Sequence, residues 1–288
     1  MKRTAIFIVL IALVATAAGA KSVKKRAHHN RAQQVKVTGT KADLQQAANA
    51  YDNEDYATAL THINKYVAAY PDDAYGWIYL AAIKSDLDQP HEALNAIEKA
   101  RECRFNDNDN YMLNWMHYTR STIHLQLGDT ISAIDDLSMA LRFNDKDEDC
   151  LLRRGNLYKG LHRFDEAMVD YGMLVQLNPK EVQGYLGLGT VAGTLKKRKD
   201  AIKAYTMAIK LEPEVADSYA MRAVEYYNDW DYEKAAKDII SALEIESDNA
   251  KALWLLQYLK RDAPDQLLKQ LKNKAKKTKD ASWLDLAN

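Results

Sequence analysis

EDCLLRRGNLYKGLHRFDEAMVDYGMLVQLNPKE, residues 148–181, is one period of a pattern that recurs along this chain. Within it, Ala167 follows a turn signal at 162–164 and precedes an apolar helical ladder that stops before Pro179. Equivalent alanines recur every 34 residues, apart from one interval that is six residues longer: Ala59, Ala93, Ala133, Ala167, Ala201 and Ala235. A period of this length predicts a solenoid, because such repeats must stack to bury their apolar faces.

With the alanine at position 20 of each unit, the chain contains six repeats: 40–73, 74–107, 114–147, 148–181, 182–215 and 216–249. Apolar residues spaced i, i+3 and i+4 indicate one buried stripe on a helix. Proline follows the last helical positions of three units, at Pro71, Pro179 and Pro213, where a helix should stop. We therefore expect a helix, a turn and a second helix in each unit.

These units resemble the tetratricopeptide repeat (TPR) family, whose repeats are pairs of antiparallel helices. The matching residues are Trp77, Leu80, Ala81, Ala93 and Ala100 in the second unit, and Gly155, Tyr158, Phe164, Ala167 and Pro179 in the fourth. The resemblance implies an all-α fold, a right-handed α-solenoid of six helix-turn-helix repeats with a C-terminal capping helix.

The third unit departs from the family pattern on its first helix. His117, Arg120, Ser121 and His124 lie where apolar and small residues are expected. We expect this unit and the inserted residues 108–113 to be the least regular part of the array.

Two positions of the repeat that change together from unit to unit support the register of the units. Position 7 is arginine and position 23 is aspartate in the third, fourth and sixth units, and the other units lack both. A guanidinium on the first helix can pair with a carboxylate on the second, which fixes the register of the two helices. The predicted structural ion pairs are Arg120–Asp136, Arg154–Asp170 and Arg222–Asp238.

The N-terminus has the layout of a secretory signal peptide over residues 1–20: Lys2 and Arg3, an apolar run at 4–20, and Ala18-Gly19-Ala20 at the cleavage site. The run spans roughly 25 Å as a helix, short of the ~30 Å hydrocarbon core. We predict an exported protein of bacterial type, periplasmic or secreted. The alternative is a membrane anchor retained at residues 4–20, since basic residues follow the run directly.

The segments outside the repeats are polar or basic. We predict that residues 21–39 form a flexible basic segment and that residues 250–279 form helices that cap the last repeat. In the tail at 280–288, Trp283 and Leu284 either fold back on the array or dock on a partner.

The net charge of zero hides a segregation of charge along the chain. Residues 21–41 carry +7 and residues 250–288 carry +5, so with +2 at the N-terminus, residues 42–249 carry −14. An acidic array argues against nucleic-acid binding, which needs a basic surface. The basic ends leave open a weak contact with an anionic membrane surface.

No reactive constellation is evident, so we expect no catalysis, no cofactor and no metal. His117 and His124 share a helix face but occupy packing positions, which favours neutral core histidines over metal ligands. Cys103 and Cys150 are separated by a whole unit and are predicted to be semi-buried free thiols.

The resemblance implies a binding groove on the concave face, lined by positions 2, 5, 6, 9, 12 and 13 of the first helices. The candidate contact residues are Tyr75, Tyr79, Trp115, Tyr118, Arg153, Asn156, Lys159, Thr190, Tyr227 and Trp254. Aromatic and arginine side chains dominate protein interfaces, although these residues could also serve only to shape the array. We predict a non-catalytic scaffold or adaptor that binds a protein or peptide segment; the alternative is a membrane-anchored structural subunit of an envelope assembly.

Overall fold

The computed structural model describes residues 42–103 and 109–263. These residues form thirteen α-helices and no strand: α1 Ala42–Asp52, α2 Tyr56–Ala69, α3 Ala74–Asp86, α4 Pro90–Glu102, α5 Asn110–Gln126, α6 Thr130–Phe143, α7 Glu148–Gly160, α8 Phe164–Leu177, α9 Val182–Thr194, α10 Arg198–Leu211, α11 Ala216–Asn228, α12 Tyr232–Ile245 and α13 Ala250–Asp262. The expected signal peptide, basic segment and tail, with residues 264–279 of the expected cap, lie outside the described residues.

Each of the six turns that join a first helix to its second helix contains one residue with a positive φ at position 15 of the unit. These residues are Glu54, Asp88, Gly128, His162, Lys196 and Trp230, with φ between 58° and 79°. The backbone closes each turn in the same way: in the fifth unit, Lys196 N–H donates to Gly193 O at 2.9 Å and Lys197 N–H donates to Ala192 O at 2.8 Å. This is the Schellman motif, which satisfies the last carbonyl groups of a helix.

The second helix of every unit begins at position 17, two residues after the turn. Asp55, Asp129 and Asp231 precede three of these helices, and each side chain accepts a hydrogen bond from a backbone N–H of the first turn. Such caps satisfy N–H groups that have no partner within the helix. The capping side chains and the turns therefore place the second helix at one register in all six units.

The recurrent alanine lies where the second helix approaches its partner. All six of these alanines are fully buried, with 0% of their surface exposed: Ala59, Ala93, Ala133, Ala167, Ala201 and Ala235. A larger side chain at a buried and well-packed position would push the helices apart. This close approach explains why a small residue marks the period.

The chain divides into two compact units, one ending at Arg154 and the other beginning at Gly155, and each is described by itself. In the first unit, helices α1 to α5 share one apolar core. Its largest fully buried side chains include Ile63, Tyr66, Ile78 and Ile97. The first helices α1, α3 and α5 pack along one side of this core and the second helices along the other.

The third repeat, expected to be the least regular, contains the longest helix among the described residues. Residues 110–113 of the insertion are helical and lengthen α5 to 17 residues, while the second helix still begins at position 17. Asp109 caps α5 by accepting a hydrogen bond from Met112 N–H at 3.1 Å. A good N-cap and the buried Met112 make helix extension the cheapest way to absorb the added residues; Asn108 lies outside the described residues.

In the second compact unit, tyrosine rings pack directly on glycines of the first helices. A Cβ on Gly187 would lie 2.6 Å from the Tyr171 ring, and one on Gly189 would lie 2.5 Å from the Tyr205 ring. These glycines therefore allow close packing of the rings, and they do not line an empty space. At the C-terminal side, α13 covers α11 and α12 with the buried Leu255 and Leu259.

Candidate functional site

Two of the three predicted ion pairs are present. Arg120 contacts Asp136 with Nε and Nη2, the shortest distance being 2.6 Å between Nη2 and Oδ1. Arg222 donates two parallel hydrogen bonds, of 2.7 and 2.8 Å, to the carboxylate of Asp238. Both carboxylates are buried. The third predicted partner pair, Arg154 and Asp170, belongs to different compact units, so its pairing stays a prediction.

The polar residues of the third repeat surround Asp136. His117 Nδ1 lies 3.0 Å from Asp136 Oδ1, and His124 Nε2 lies 3.6 Å from Oδ2. Burial alone would raise the pKa of Asp136, but hydrogen bonds from His117 and Arg120 hold it below its usual range. The two histidines are therefore packed against a structural carboxylate, and across residues 42–103 and 109–263 no group of acidic, histidine or cysteine side chains has the layout of a metal site.

Sequence reasoning missed a second contact made by the same arginines. Each Nη1 reaches position 25 of the preceding repeat: Arg120 to Glu98 at 3.5 Å, Arg154 to Ser138 at 3.0 Å and Arg222 to Thr206 at 3.0 Å. Each guanidinium therefore joins its own repeat to the one before it. The signal was present in the sequence, because position 25 is Glu, Ser or Thr in the unit that precedes each arginine.

Within the first compact unit, the predicted groove positions surround an open pocket. Its lining residues come only from the first helices α1, α3 and α5, and all occupy positions assigned to the concave face: Tyr51, Ala82, Ser85, Asp86, Trp115, Tyr118, Thr119 and Thr122. The enclosed cavity is small, about 20 Å³ and so large enough for about one water molecule, and the rest of the depression is open to solvent. Tyr118 and Trp115 are the two predicted contact residues that line it.

An aromatic ladder forms one wall of this pocket. Trp115 packs edge-on against Tyr79 with ring centroids 4.7 Å apart, and Tyr79 meets Tyr51 at 6.3 Å. Trp115 is only 5% exposed, so it forms the floor of the pocket and does not project into solvent as a contact residue would. Tyr75, another of the predicted contact residues, donates a long hydrogen bond of 3.4 Å to Asp109.

Two tyrosines of the pocket contact charged groups, one a carboxylate and the other a guanidinium. Tyr51 Oη donates to Asp86 Oδ2 at 2.7 Å; burial, followed by the nearby carboxylate, raises the pKa of Tyr51. The Arg153 guanidinium lies 4.8 Å from the centroid of the Tyr118 ring and donates to Thr122 Oγ1 at 3.4 Å. The pocket is therefore both aromatic and charged.

In the second compact unit, a lysine and a buried tyrosine donate to the same asparagine oxygen. Lys159 Nζ and Tyr171 Oη both donate to Asn156 Oδ1, at 3.2 and 2.8 Å. Burial lowers the pKa of Lys159. Among the described residues no carboxylate lies within ion-pair distance of Lys159, which leaves its charge available to a ligand.

The remaining predicted residues of this unit make internal contacts. Thr190 receives a 3.4 Å hydrogen bond from Tyr205. Tyr227 donates to Asp262, and Trp254 stacks at a tilt on Tyr258 with ring centroids 4.5 Å apart. Tyr227 therefore joins the cap helix α13 to the repeats, whereas the contact of Trp254 with Tyr258 lies within α13.

A buried glutamate was also missed. Glu225 is 7% exposed, and its Oε1 lies only 2.3 Å from where a Cβ on Gly193 would be. Burial raises the pKa of Glu225 to about 7, with Asp229 adding to the rise and Arg198 opposing it. The sequence gives no sign that Glu225 is buried, because its burial depends on Gly193 in the preceding repeat.

Both cysteines are free, as expected, but their environments differ. Cys103 is half-buried, whereas Cys150 is fully buried, and burial together with Asp147 raises the pKa of the Cys150 thiol. None of the helices in the described ranges is both long and apolar enough to cross a bilayer.

Comparison with protein-family models and with curated proteins finds no match. Solved structures of TPR proteins do match. The protein YrrB, described as a TPR protein with an unusual peptide-binding site, aligns over 68% of this chain and 97% of its own, with a TM-score of 0.60 and 20% identity. The C-terminal part of a TPR repeat-containing protein from Cytophaga hutchinsonii aligns over 84% of this chain and 98% of its own, with a TM-score of 0.65 and 17% identity.

A tetratricopeptide repeat protein from Parabacteroides merdae aligns over 85% of this chain and 96% of its own, with a TM-score of 0.57 and 19% identity. At these identities the likeness shows the fold. The predicted fold class, an all-α solenoid of TPR-like repeats, is therefore confirmed.

The pair of Arg222 and Asp238 gives a direct test of the structural ion pairs. Arg222→Ala and Asp238→Ala should each lower the free energy of unfolding by about 3–5 kcal/mol, because each leaves a buried charge without its partner. The double variant should cost less than the sum of the two, by more than about 1 kcal/mol. Urea unfolding of the four proteins measures this coupling.

The exposed pair Arg163–Glu166, whose Nη2 to Oε1 distance is 2.7 Å, is the matched control and should show weak coupling. Additive effects of the Arg222 and Asp238 substitutions would contradict the structural role of the pair.

Glu225 should make stability depend on pH between about 4.5 and about 7. In this range the folded state keeps the proton that the unfolded chain releases, so the stability present at low pH is lost as the pH rises. The loss is about 3 kcal/mol. Glu225→Gln should therefore match the wild type at pH 5 and exceed its stability at pH 8, as measured by urea unfolding.

Glu233→Gln, on the exposed surface of α12, is the control and should leave the pH profile unchanged. If Glu225→Gln and the wild type kept parallel pH profiles, Glu225 would not be the group responsible.

Proposed function

We propose that this protein is a non-catalytic adaptor that binds an extended segment of a partner protein along the first helices of its repeats. The observation that carries the proposal is the pocket on α1, α3 and α5. Its eight lining residues all fall at positions assigned to the concave face.

The chemistry of this face suits a peptide. Tyr51 and Tyr118 supply large, rigid surfaces, and rigid aromatic side chains lose little conformational entropy on binding. Thr119 and Thr122 add hydroxyl groups beside the rings.

Two further lines support a binding role over catalysis. The sequence presents no arrangement of a nucleophile with a base, and the solved structures that share the fold include a TPR protein described as having a peptide-binding site. Binding by YrrB is a property of that protein, and here it serves only to favour the proposal.

The proposal is tested by blocking the pocket without adding charge. A displayed library of random short peptides is selected on the full chain, and the affinity of one selected peptide is measured by calorimetry. Thr122→Trp fills the pocket and should weaken that peptide at least tenfold, about 1.4 kcal/mol. Val169→Trp, at a 60% exposed position of a second helix, should leave the affinity unchanged. Equal affinities for both variants, or no selected peptide, would contradict the proposal.

We further propose that residues 1–20 direct export, which would place the adaptor in the periplasm or outside the cell. The charged start, apolar run and small-residue end of this segment support cleavage, while the basic residues after it favour retention as a membrane anchor. N-terminal sequencing of the protein from its host decides between a start near Lys21 and an intact Met1.

A further inference from the structure

The second helices of the second compact unit carry apolar side chains on the face that they turn to solvent. Four of the seven large apolar side chains that are exposed in the described residues lie there: Val169, Met173 and Leu177 on α8 and Ile245 on α12. Met207 and Leu211 of α10 are partly buried and occupy the same repeat positions, 26 and 30, as Met173 and Leu177. These six residues are called the apolar band below.

The band departs from the first repeats of the array. Position 26 is lysine in the first two repeats, Lys65 and Lys99, as suits a face that meets water. In the fourth and fifth repeats it is methionine, whose flexible apolar side chain is common at binding surfaces. Apolar side chains that share one exposed face mark an interaction site. The band is therefore a surface that another segment or molecule covers.

We infer that residues 280–288 of the same chain dock on this band. The segment reads DASWLDLAN and combines Trp283, Leu284 and Leu286 with two acidic residues and no basic one. It lies outside the described residues. The inference concerns the second helices and does not rest on the proposed function of the first helices.

The charges of α10 suit an acidic segment. This helix contains four basic residues and one acidic residue. Lys199 and Lys203 are exposed, one helical turn apart, and neither has an ion-pair partner among the described residues. Like charges at this spacing repel each other. Asp280 and Asp285 supply the opposite charge, whereas residues 264–279 are basic, so the tail fits this helix and the segment before it does not.

The connection from the cap helix is long enough. Tyr227, near the end of α11, donates to Asp262 at the end of α13, so the chain leaves α13 at the edge where the second helices begin. As the capping helix that the sequence predicts, residues 264–279 would span about 24 Å, close to the roughly 21 Å length of α12. The tail would then begin near the end of α12, where Ile245 lies.

The tail is also long enough to cross the band. Residues 280–288 extend at most about 30 Å. Because packed helices lie about 8–10 Å apart, this length reaches from α12 to Met207 on α10. A segment tethered in this way has an effective concentration on the order of 1 mM, which favours the chain's own tail over the tail of a second copy.

Oxidation of Met207 tests whether the tail covers the band. The full chain is treated with dilute hydrogen peroxide, and mass spectrometry follows the formation of methionine sulfoxide. Trp283→Ala/Leu284→Ala should raise the oxidation rate of Met207 at least about threefold, because burial of these two side chains holds the tail in place.

Two controls accompany this measurement. Met221, partly buried on the first helix α11, should oxidise at the same rate in both proteins, which shows that the fold is unchanged. Ser282→Ala changes a small polar residue of the same tail and should leave the rate at Met207 as in the wild type.

Crosslinking then locates the tail. The photoreactive residue benzoylphenylalanine, placed at position 283 of the full chain, should crosslink to Met207 or Met173 on irradiation. The same residue at position 230, where Trp230 is exposed at the edge where the second helices begin, should crosslink to neither. Mixing chains labelled with nitrogen-15 and unlabelled chains shows whether a crosslink joins one chain or two.

A faster oxidation of Met207 together with crosslinks inside one chain supports the inference. An unchanged oxidation rate at Met207, or crosslinks from position 283 to the first helices, would overturn it. Crosslinks between labelled and unlabelled chains would also overturn it, because the occupant of the band would then be a second copy.

Discussion

Every repeat reverses direction at one residue in the left-handed backbone conformation, and the rest of the structure depends on this turn. Five of the six residues are not glycine, although an L-residue pays roughly 1–2 kcal/mol to adopt this conformation. The cost is borne because the turn fixes the register of two helices. It sets the recurrent alanine against the first helix and turns positions 2, 5, 6, 9, 12 and 13 of that helix toward the groove.

The arginines extend this order from one repeat to the next. A helix pair alone cannot bury its apolar faces, so a repeat protein depends on the contacts between neighbours. Arg120 and Arg222 each bind an aspartate in their own repeat and a polar side chain in the preceding one. Burial of a charged pair contributes little net stability, but it penalises any shifted stacking that would separate the charges.

Much of the fold follows from the sequence because it repeats. The period, the alanines and the correlated arginine and aspartate residues predict helix pairs, their register and the pairs of Arg120 and Arg222. The sequence did not predict the properties that depend on contact between repeats. The pattern offers Trp115 as a contact residue, but Tyr79 packs on it and buries it. It gives no sign that Gly193 makes room for a buried Glu225.

The same limit applies to the candidate site. The positions of the pocket residues within the repeat predict that they share one face, because the period of a helix determines which side chains lie on the same side. They could not show that Tyr51 and Asp86, on different helices, form one hydrogen-bonded wall. The chemistry of the pocket becomes visible only when the first helices are placed side by side.

Backbone amide chemical shifts, measured during titration of the full chain with a selected peptide, show directly where the peptide lies on the protein. We expect the largest changes on α1, α3 and α5, at Tyr51, Asp86, Tyr118 and Thr122. Changes concentrated on the second helices α2, α4 and α6, with these residues unmoved, would contradict a binding face built from the first helices.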